Sequence, residues 1–304
     1  MNQERKQRLL DKMRAMELDA LVLSSPMNIY YLTGQMTSAG ERLMALVMHA
    51  DGQCHFVGNQ LIPFHDPDVS CITYRDWEAG MEFLTAILPP MGTVGIERSW
   101  PSGFTFSLMS WMPRALFVNG SRCIEAVRMI KEPGEIELMK RSSRKNDEVM
   151  GELIKKIHGE MTEAELRKWL PVLMEQRGGE FQWGIIAFGP NAAEAHHEGD
   201  DTRLRPGDNI VMDIGCPYER YHSDMTRTVF YHHVEPEMER IYSLVRLANE
   251  EVIKAARPGV SFDYLDRLSK DVIAEGGYGQ YYNHRVGHGV GLEIHEPPFV
   301  CIGN

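Results

Sequence analysis

Over the first part of the chain, short apolar runs alternate with stretches of helical spacing. Leu9, Leu10, Met13 and Met16 share one side of a helix predicted over residues 4–18. Asp19–Ser24 reads as a short buried strand, ended by Ser25-Pro26, and Asn28–Gly34 as a short helical or loop element. Leu43–His49 and Cys54–Val57 read as strands around Ala50-Asp51-Gly52, whose Asp-Gly pair favours a tight turn. Thr93–Glu97 and Ala115–Val118 are further strands, with a helix between them at Phe104–Met112. This alternation predicts an α/β domain ending at about residue 125.

The pattern then lengthens. Proline and acids in Glu132-Pro133-Gly134-Glu135 suit the first turn of a helix and its dipole. Ile136, Met139, Ser143, Asn146, Met150, Leu153 and Ile157 continue it at three-to-four spacing. The domain boundary is placed at this helix start, giving domains 1–127 and 128–304. Thr162-Glu-Ala-Glu165 is a capping-box pattern that opens a helix burying Leu166, Trp169, Leu170 and Leu173 and stopping at Gly178-Gly179. Strands follow at Phe181–Phe188, Asn209–Ile214 and 221–231, the last two forming a hairpin. A helix over Glu237–Ala256 and another capped by Ser261 lead to strand-like segments at Gln280–Val286 and Val290–His295. Residues 132–304 thus repeat helix–helix–strands twice, and the second copy stops before a closing strand pair. On this symmetry the C-terminal domain is expected to be cut short.

Composition narrows the function classes. A formal net charge of −11, with no basic run, argues against nucleic acid or anionic membrane as partner. Five cysteines without CxxC spacing argue against a disulfide framework or a thiolate zinc site and fit a cytoplasmic location. The polar start has no signal-peptide core, and no run of about 18 apolar residues suggests a membrane span.

Three stretches carry chemistry. In the hairpin, Asp213 and Asp224 sit on arms that fold back beside each other. Two carboxylates together in an apolar sheet need one proton or a cation between them. The structural alternative is a turn Asp and an Asp satisfied by amides. Against it, Asp224, Thr226 and Thr228 form an alternating polar face on one strand. The second stretch, His284–Glu296, holds His284, His288 and His295 among Gly287, Gly289 and Gly291, which leave the backbone free to approach a ligand. It lacks the Lys-Ser/Thr of a phosphate loop. The third, Gly189–Glu198 with His196 and His197, reads on its own as a polar loop. Two Asp and one His make a hard, oxygen-rich metal site that favours manganese, cobalt, iron or zinc over copper. Asp224 is placed to bridge a metal pair, the arrangement used for amide hydrolysis, with neutral histidines nearby to bind a carbonyl or move a proton.

These stretches, in this order, resemble the pita-bread metallopeptidases of the Xaa-Pro aminopeptidase/prolidase branch. Asp19–Gly34 looks like the opening of a creatinase-like N-terminal domain and Arg128–Ile136 like its junction. Met212-Asp-Ile-Gly215, Tyr221–Thr228 and Gly287–Glu296 match specific family motifs. The resemblance implies an α/β N-terminal creatinase-like domain followed by an α+β pita-bread C-terminal domain, here incomplete. It implies Asp213, Asp224 and His288 as metal ligands, His196 as the residue stabilising the reacting carbonyl, His295 as the proton-transferring residue, and His284 beside His196 on the substrate side. It further implies two divalent metal ions (manganese or cobalt ahead of zinc or iron), peptide substrates with proline in second position, and a homodimer.

The family completes its site with two glutamates, in Thr-(Ile/Val)-Glu-Pro-Gly and Arg-(Ile/Leu)-Glu-Asp segments that do not occur here. The expectation is therefore a truncated metallopeptidase that binds metal weakly through three ligands. Ala195 stands where the family often has proline. Two other readings are a metal-independent creatinase-like amidinohydrolase and a non-catalytic pita-bread binding protein. The intact Asp-Asp-His set counts against the first, and intact motifs against the second.

Overall fold

In the computed structural model, which describes residues 1–304, helix α1 (Gln3–Ala15) starts where the Asn2 side chain accepts from the Arg5 amide. Strand β1 (Ala20–Leu23) is buried at every position, as its uninterrupted apolar run requires. Helix α2 (Pro26–Thr33) is capped by Ser25 and stopped by Gly34, whose φ of 74° suits a residue without a Cβ. Strands β2 (Met44–His49) and β3 (Cys54–Asn59) pair antiparallel on either side of the Asp51-Gly52 turn. Then come β4 (Ser70–Tyr74), α3 (Gly80–Ile87), β5 (Thr93–Ile96), α4 (Ser102–Trp111), β6 (Leu116–Asn119) and α5 (Ser121–Arg128). The six strands form one sheet in the order β4-β3-β2-β1-β5-β6. β1 runs antiparallel to β2 and parallel to β5, and Val22, Val47, Leu84, Val94 and Leu108 fill the core on one of its faces.

The chain divides into two units, Met1–Ile130 and Lys131–Asn304. The second opens with α6 (Pro133–Lys155), whose Glu132 and Glu135 cap each other's backbone amides. This helix buries Ser142 and Asn146 along with Val149, Met150 and Leu153, whereas Ile136 and Ser143 of the predicted stripe are exposed. α7 (Glu163–Arg167) begins at the predicted Thr162/Glu165 capping box. It breaks at Lys168 before α8 (Trp169–Glu175), because Pro171 has no N–H for the Arg167 carbonyl. Leu166, Leu170 and Leu173 are buried, but Trp169 is 39% exposed, with the Lys156 ammonium 4.3 Å from its ring centre.

β7 (Trp183–Phe188), β8 (Asn209–Gly215) and β9 (Asp224–Phe230) make an antiparallel sheet in that order. α9 (Pro236–Ala255) and α10 (Phe262–Glu275) follow, then β10 (Gly287–Gly289) and β11 (Glu296–Val300) as a two-stranded antiparallel ladder. The strands predicted at 280–286 and 290–295 do not form: a 3-10 turn occupies Gly279–Tyr281, and 290–295 is a loop. β11 accommodates Pro297 and Pro298 because the register jumps between His288 and Gly289. His288 pairs with Phe299 and Gly289 with Glu296, so the prolines have no ladder partner to serve. No helix is long and apolar enough to cross a membrane.

Candidate metal centre

Asp213 lies opposite Thr226, and Asp224 opposite Gly215, so the two acids are diagonal neighbours on one face of the sheet. The Thr226 hydroxyl donates to Asp213 Oδ1 at 2.7 Å. The hairpin end is held from behind by α6. Asn146 Nδ2 donates to the Ile214 carbonyl at 3.0 Å, and the Ser142 hydroxyl bonds the Cys216 carbonyl and lies 3.0 Å from Ser223 Oγ. This accounts for two polar residues inside an otherwise apolar helix face: they satisfy backbone carbonyls where the strands end.

The third ligand candidate comes from β10. His288 Nε2 lies 3.4 Å from Asp224 Oδ2. Its Nδ1 donates to the Gly289 carbonyl at 2.9 Å. A carbonyl can only accept, so in the neutral imidazole the proton is on Nδ1 and the Nε2 lone pair faces Asp224. The His295 ring stands edge-on to His288, with centroids 4.2 Å apart. Asp224, His288 and His295 each bring a ligand atom to within 4.8 Å of the others.

Electrostatics favour a cation at this cluster. The Asp224 carboxyl is held above its ordinary range, first by burial and then by the Asp213 carboxylate, with His288 pulling it down. This occurs although its side chain keeps 27% exposure. A carboxyl pushed toward neutrality by a like charge is the situation a divalent cation relieves. The donors are hard oxygens and an imidazole already oriented by its second nitrogen, so they fit such an ion. Cys216, the nearest thiol in sequence, points into the apolar core instead, where burial raises its pKa. His295 is shifted down, chiefly by burial, then by His288 and Arg285; Asp213 opposes and His196 adds to the shift.

The remaining predicted residues stand further out. His196 is exposed on the loop after β7. His284 is exposed, donates from Nδ1 to the Arg285 carbonyl at 2.7 Å, and packs edge-on against Tyr282 with centroids 4.9 Å apart.

The glycine run has a different purpose from the one its spacing suggests. A Cβ on Gly289 would meet the Pro297 carbonyl oxygen at 2.6 Å, and one on Gly291 the Glu296 carboxylate at 2.7 Å, while Gly287 has room. Two of the glycines let the chain close on itself. Glu296 then accepts from the Glu293 amide at 2.9 Å and from Lys131 at 3.1 Å, bracing the loop that carries His295.

Sequence reasoning also passed over a second cluster, Glu163, His197 and Asp200. Glu163 sits in the first turn of a capped helix, where an acid needs no further explanation, and the only signal against that reading is its complete burial.

An α/β unit followed by an α+β unit with a carboxylate–imidazole centre defines a metallohydrolase scaffold. Residues 5–130 match the Creatinase/Prolidase N-terminal domain, and residues 137–304 match metallopeptidase family M24. The chain belongs to family M24: it has the creatinase-like and pita-bread domains and is a hydrolytic metallopeptidase of a family that uses divalent metal ions. It is 30% identical over 300 residues to an Xaa-Pro dipeptidase of Pyrococcus horikoshii, covering 98% of this chain and 84% of that one. Among solved structures, dipeptidase PepE of Mycobacterium ulcerans superposes with a TM-score of 0.94 at 28% identity, covering 99% of this chain and 84% of that one. The prolidase of Pyrococcus horikoshii superposes with a TM-score of 0.86 at 28% identity, covering 99% and 86%.

Proposed function

We propose that this chain hydrolyses the peptide bond before proline in short peptides, Xaa-Pro dipeptides foremost, using divalent metal held by Asp213, Asp224 and His288. The observation that carries the reading is the approach of His288 Nε2 to Asp224 Oδ2 at 3.4 Å, with Asp213 diagonal to Asp224 on the same sheet face. The substrate class rests on the relatives named Xaa-Pro dipeptidase and prolidase. When bound, the metal supplies a Lewis acid for the carbonyl and a water acidic enough to ionise near neutral pH.

The chain's own groups do the rest. Thr226 holds the Asp213 carboxylate in one orientation, and the Gly289 carbonyl fixes the His288 tautomer. His295, whose pKa is shifted down chiefly by desolvation, is poised to accept a proton and pass it to the leaving amine. His196 donates to the carbonyl oxygen as charge develops there. His284, exposed at the rim, is assigned to the substrate side. Manganese or cobalt is the proposed metal, two ions the proposed number, and the active form a homodimer in the cytoplasm.

The test is hydrolysis of Ala-Pro and Gly-Pro against Ala-Ala. The protein is first stripped with a chelator and then given manganese, cobalt, zinc or iron. Metal-restored cleavage confined to the proline peptides is the expected result. Chelator-insensitive cleavage, or equal cleavage of Ala-Ala, would sink the reading.

A further inference from the structure

The loop that carries His196 is fastened by one buried side chain. Glu163 has no solvent exposure. Its Oε1 accepts from the Phe188 amide at 2.6 Å and from Asn191 Nδ2 at 3.1 Å. Its Oε2 accepts from His197 Nε2 at 2.6 Å and from the Asp200 amide at 3.0 Å. These four donors come from the start, middle and end of the segment 188–200. A carboxylate removed from water needs such a set to stay ionised. The loop is also stitched to α7 by backbone bonds, Ala164 amide to Asp200 carbonyl at 3.0 Å and Glu163 amide to Thr202 carbonyl at 3.2 Å.

Glu163, His197 and Asp200 have the composition of an ion site, but the contacts argue otherwise. Both Glu163 oxygens already accept two N–H donors each, and Asp200 Oδ1 accepts from the Thr202 amide at 2.7 Å. A cation would have to displace those donors, so the cluster is a clamp.

The clamp bears on the neighbouring residue. The His197 side chain is 13% exposed and turned toward Glu163, whereas His196 is exposed. Fixing one imidazole inward fixes the backbone from which the other projects.

We propose that Glu163 and His197 are positioning residues that hold the 189–200 loop so that His196 is presented to the metal centre. The inference rests on the reading of His196 as the group that meets the substrate carbonyl. Neither Glu163 nor His197 touches substrate in this scheme.

The test uses the full chain with manganese and Ala-Pro. His197→Leu should lower kcat about tenfold with little change in KM, as expected for misplacing a group that acts in the transition state. His197→Gln, which keeps an N–H donor for Glu163, should recover most of it. The double variant with His196→Ala should be no slower than His196→Ala alone, because the clamp acts only through His196. Independently of activity, Glu163→Gln and His197→Leu should speed hydrogen exchange at the Phe188 and Asp200 amides and leave residues 210–214 unchanged. Multiplicative losses in the double variant, or unaltered exchange at those two amides, overturn the clamp. Full activity in His196→Ala overturns the role given to His196 in the proposed function, and the exchange measurement then decides the clamp by itself.

Discussion

The His222 amide donates to the Gly291 carbonyl at 2.8 Å. That bond ties the residue two before Asp224 to the glycine run three after His288, so the two halves of the candidate metal centre share a fixed backbone crossing. His222 Nε2 also meets Gln182 Oε1 at 2.9 Å, which extends the crossing to the segment before β7. The backbone bonds therefore bring the Asp224 and His288 segments together.

On the proposed ligand set, metal binding should be visible as stability. Manganese at about a hundred times its dissociation constant should stabilise the native chain by about 2.7 kcal/mol, read as a rise in thermal midpoint. Asp224→Asn removes one of the two negative charges that make the site attractive, and the metal-dependent rise should vanish. The metal-free variant should be no less stable than the metal-free parent, because burial and the Asp213 carboxylate both disfavour the charged form of Asp224. A full thermal shift in Asp224→Asn would remove that residue from the ligand set.

The parts of this centre that sequence exposes are those where a residue type conflicts with its surroundings. Asp213 and Asp224 stand out because acids are rare in apolar strands, and three histidines among glycines are rare anywhere. Elements without such a conflict are harder to see. β4 is a largely exposed edge strand, and α3 and α5 are only eight residues long and start without a side-chain cap, so the signal of each is short. The strands predicted at 280–286 and 290–295 failed because glycine contacts and paired prolines, which depend on the folded neighbours, decide where β10 and β11 begin. Glu163 was hidden for a related reason: its value as a cap and its value as a loop anchor use the same letter in the same place.

The two kinds of glycine in the run separate cleanly by mutation. Gly289→Ala places a methyl group against the Pro297 and Glu296 carbonyl oxygens, at 2.6 and 2.9 Å, so backbone must move. The cost should be about 1–3 kcal/mol, as for other overpacked sites, with loss of metal binding as His288 shifts. Gly287→Ala has its nearest neighbour at 4.0 Å and should leave urea stability and metal affinity close to the parent. Equal effects of the two substitutions would contradict the close approach.

Loop order should depend on pH through His197. Its pKa is raised, foremost by the hydrogen bond to Glu163, against some desolvation, with Asp200 and Glu194 adding attraction. A raised folded-state pKa means the contribution is fully present below the unfolded value of about 6.5 and fades as pH rises through the folded value. Protection of the Phe188 and Asp200 amides, corrected for intrinsic exchange rates, should therefore weaken from mildly acidic to alkaline pH. Glu163→Gln should flatten that dependence, and a profile unchanged by the substitution would show that another group sets it.

Asp266 offers the opposite sign. It lies buried on α10, and its Oδ1 accepts from the Val286 amide at 2.9 Å, while Oδ2 accepts from Ile302 at 3.0 Å and Lys270 at 2.6 Å. Burial pushes its pKa up, but Lys270 and the two amides outweigh it and hold the carboxyl below its usual range. Its contribution is therefore complete above the unfolded value of about 3.9 and is lost as pH falls through the folded one. Because those amides flank β10 and β11, Asp266 anchors the ladder that presents His288. Asp266→Ala leaves two amide donors without their acceptor and should cost about 2–3 kcal/mol in urea unfolding at neutral pH. Asp266→Asn, which keeps one acceptor oxygen, should cost less. The gap between the parent and Asp266→Ala should narrow steadily below about pH 4, as the parent's own carboxylate takes up its proton. A gap that stays constant into acid would assign the loss to packing and not to the carboxylate's hydrogen bonds.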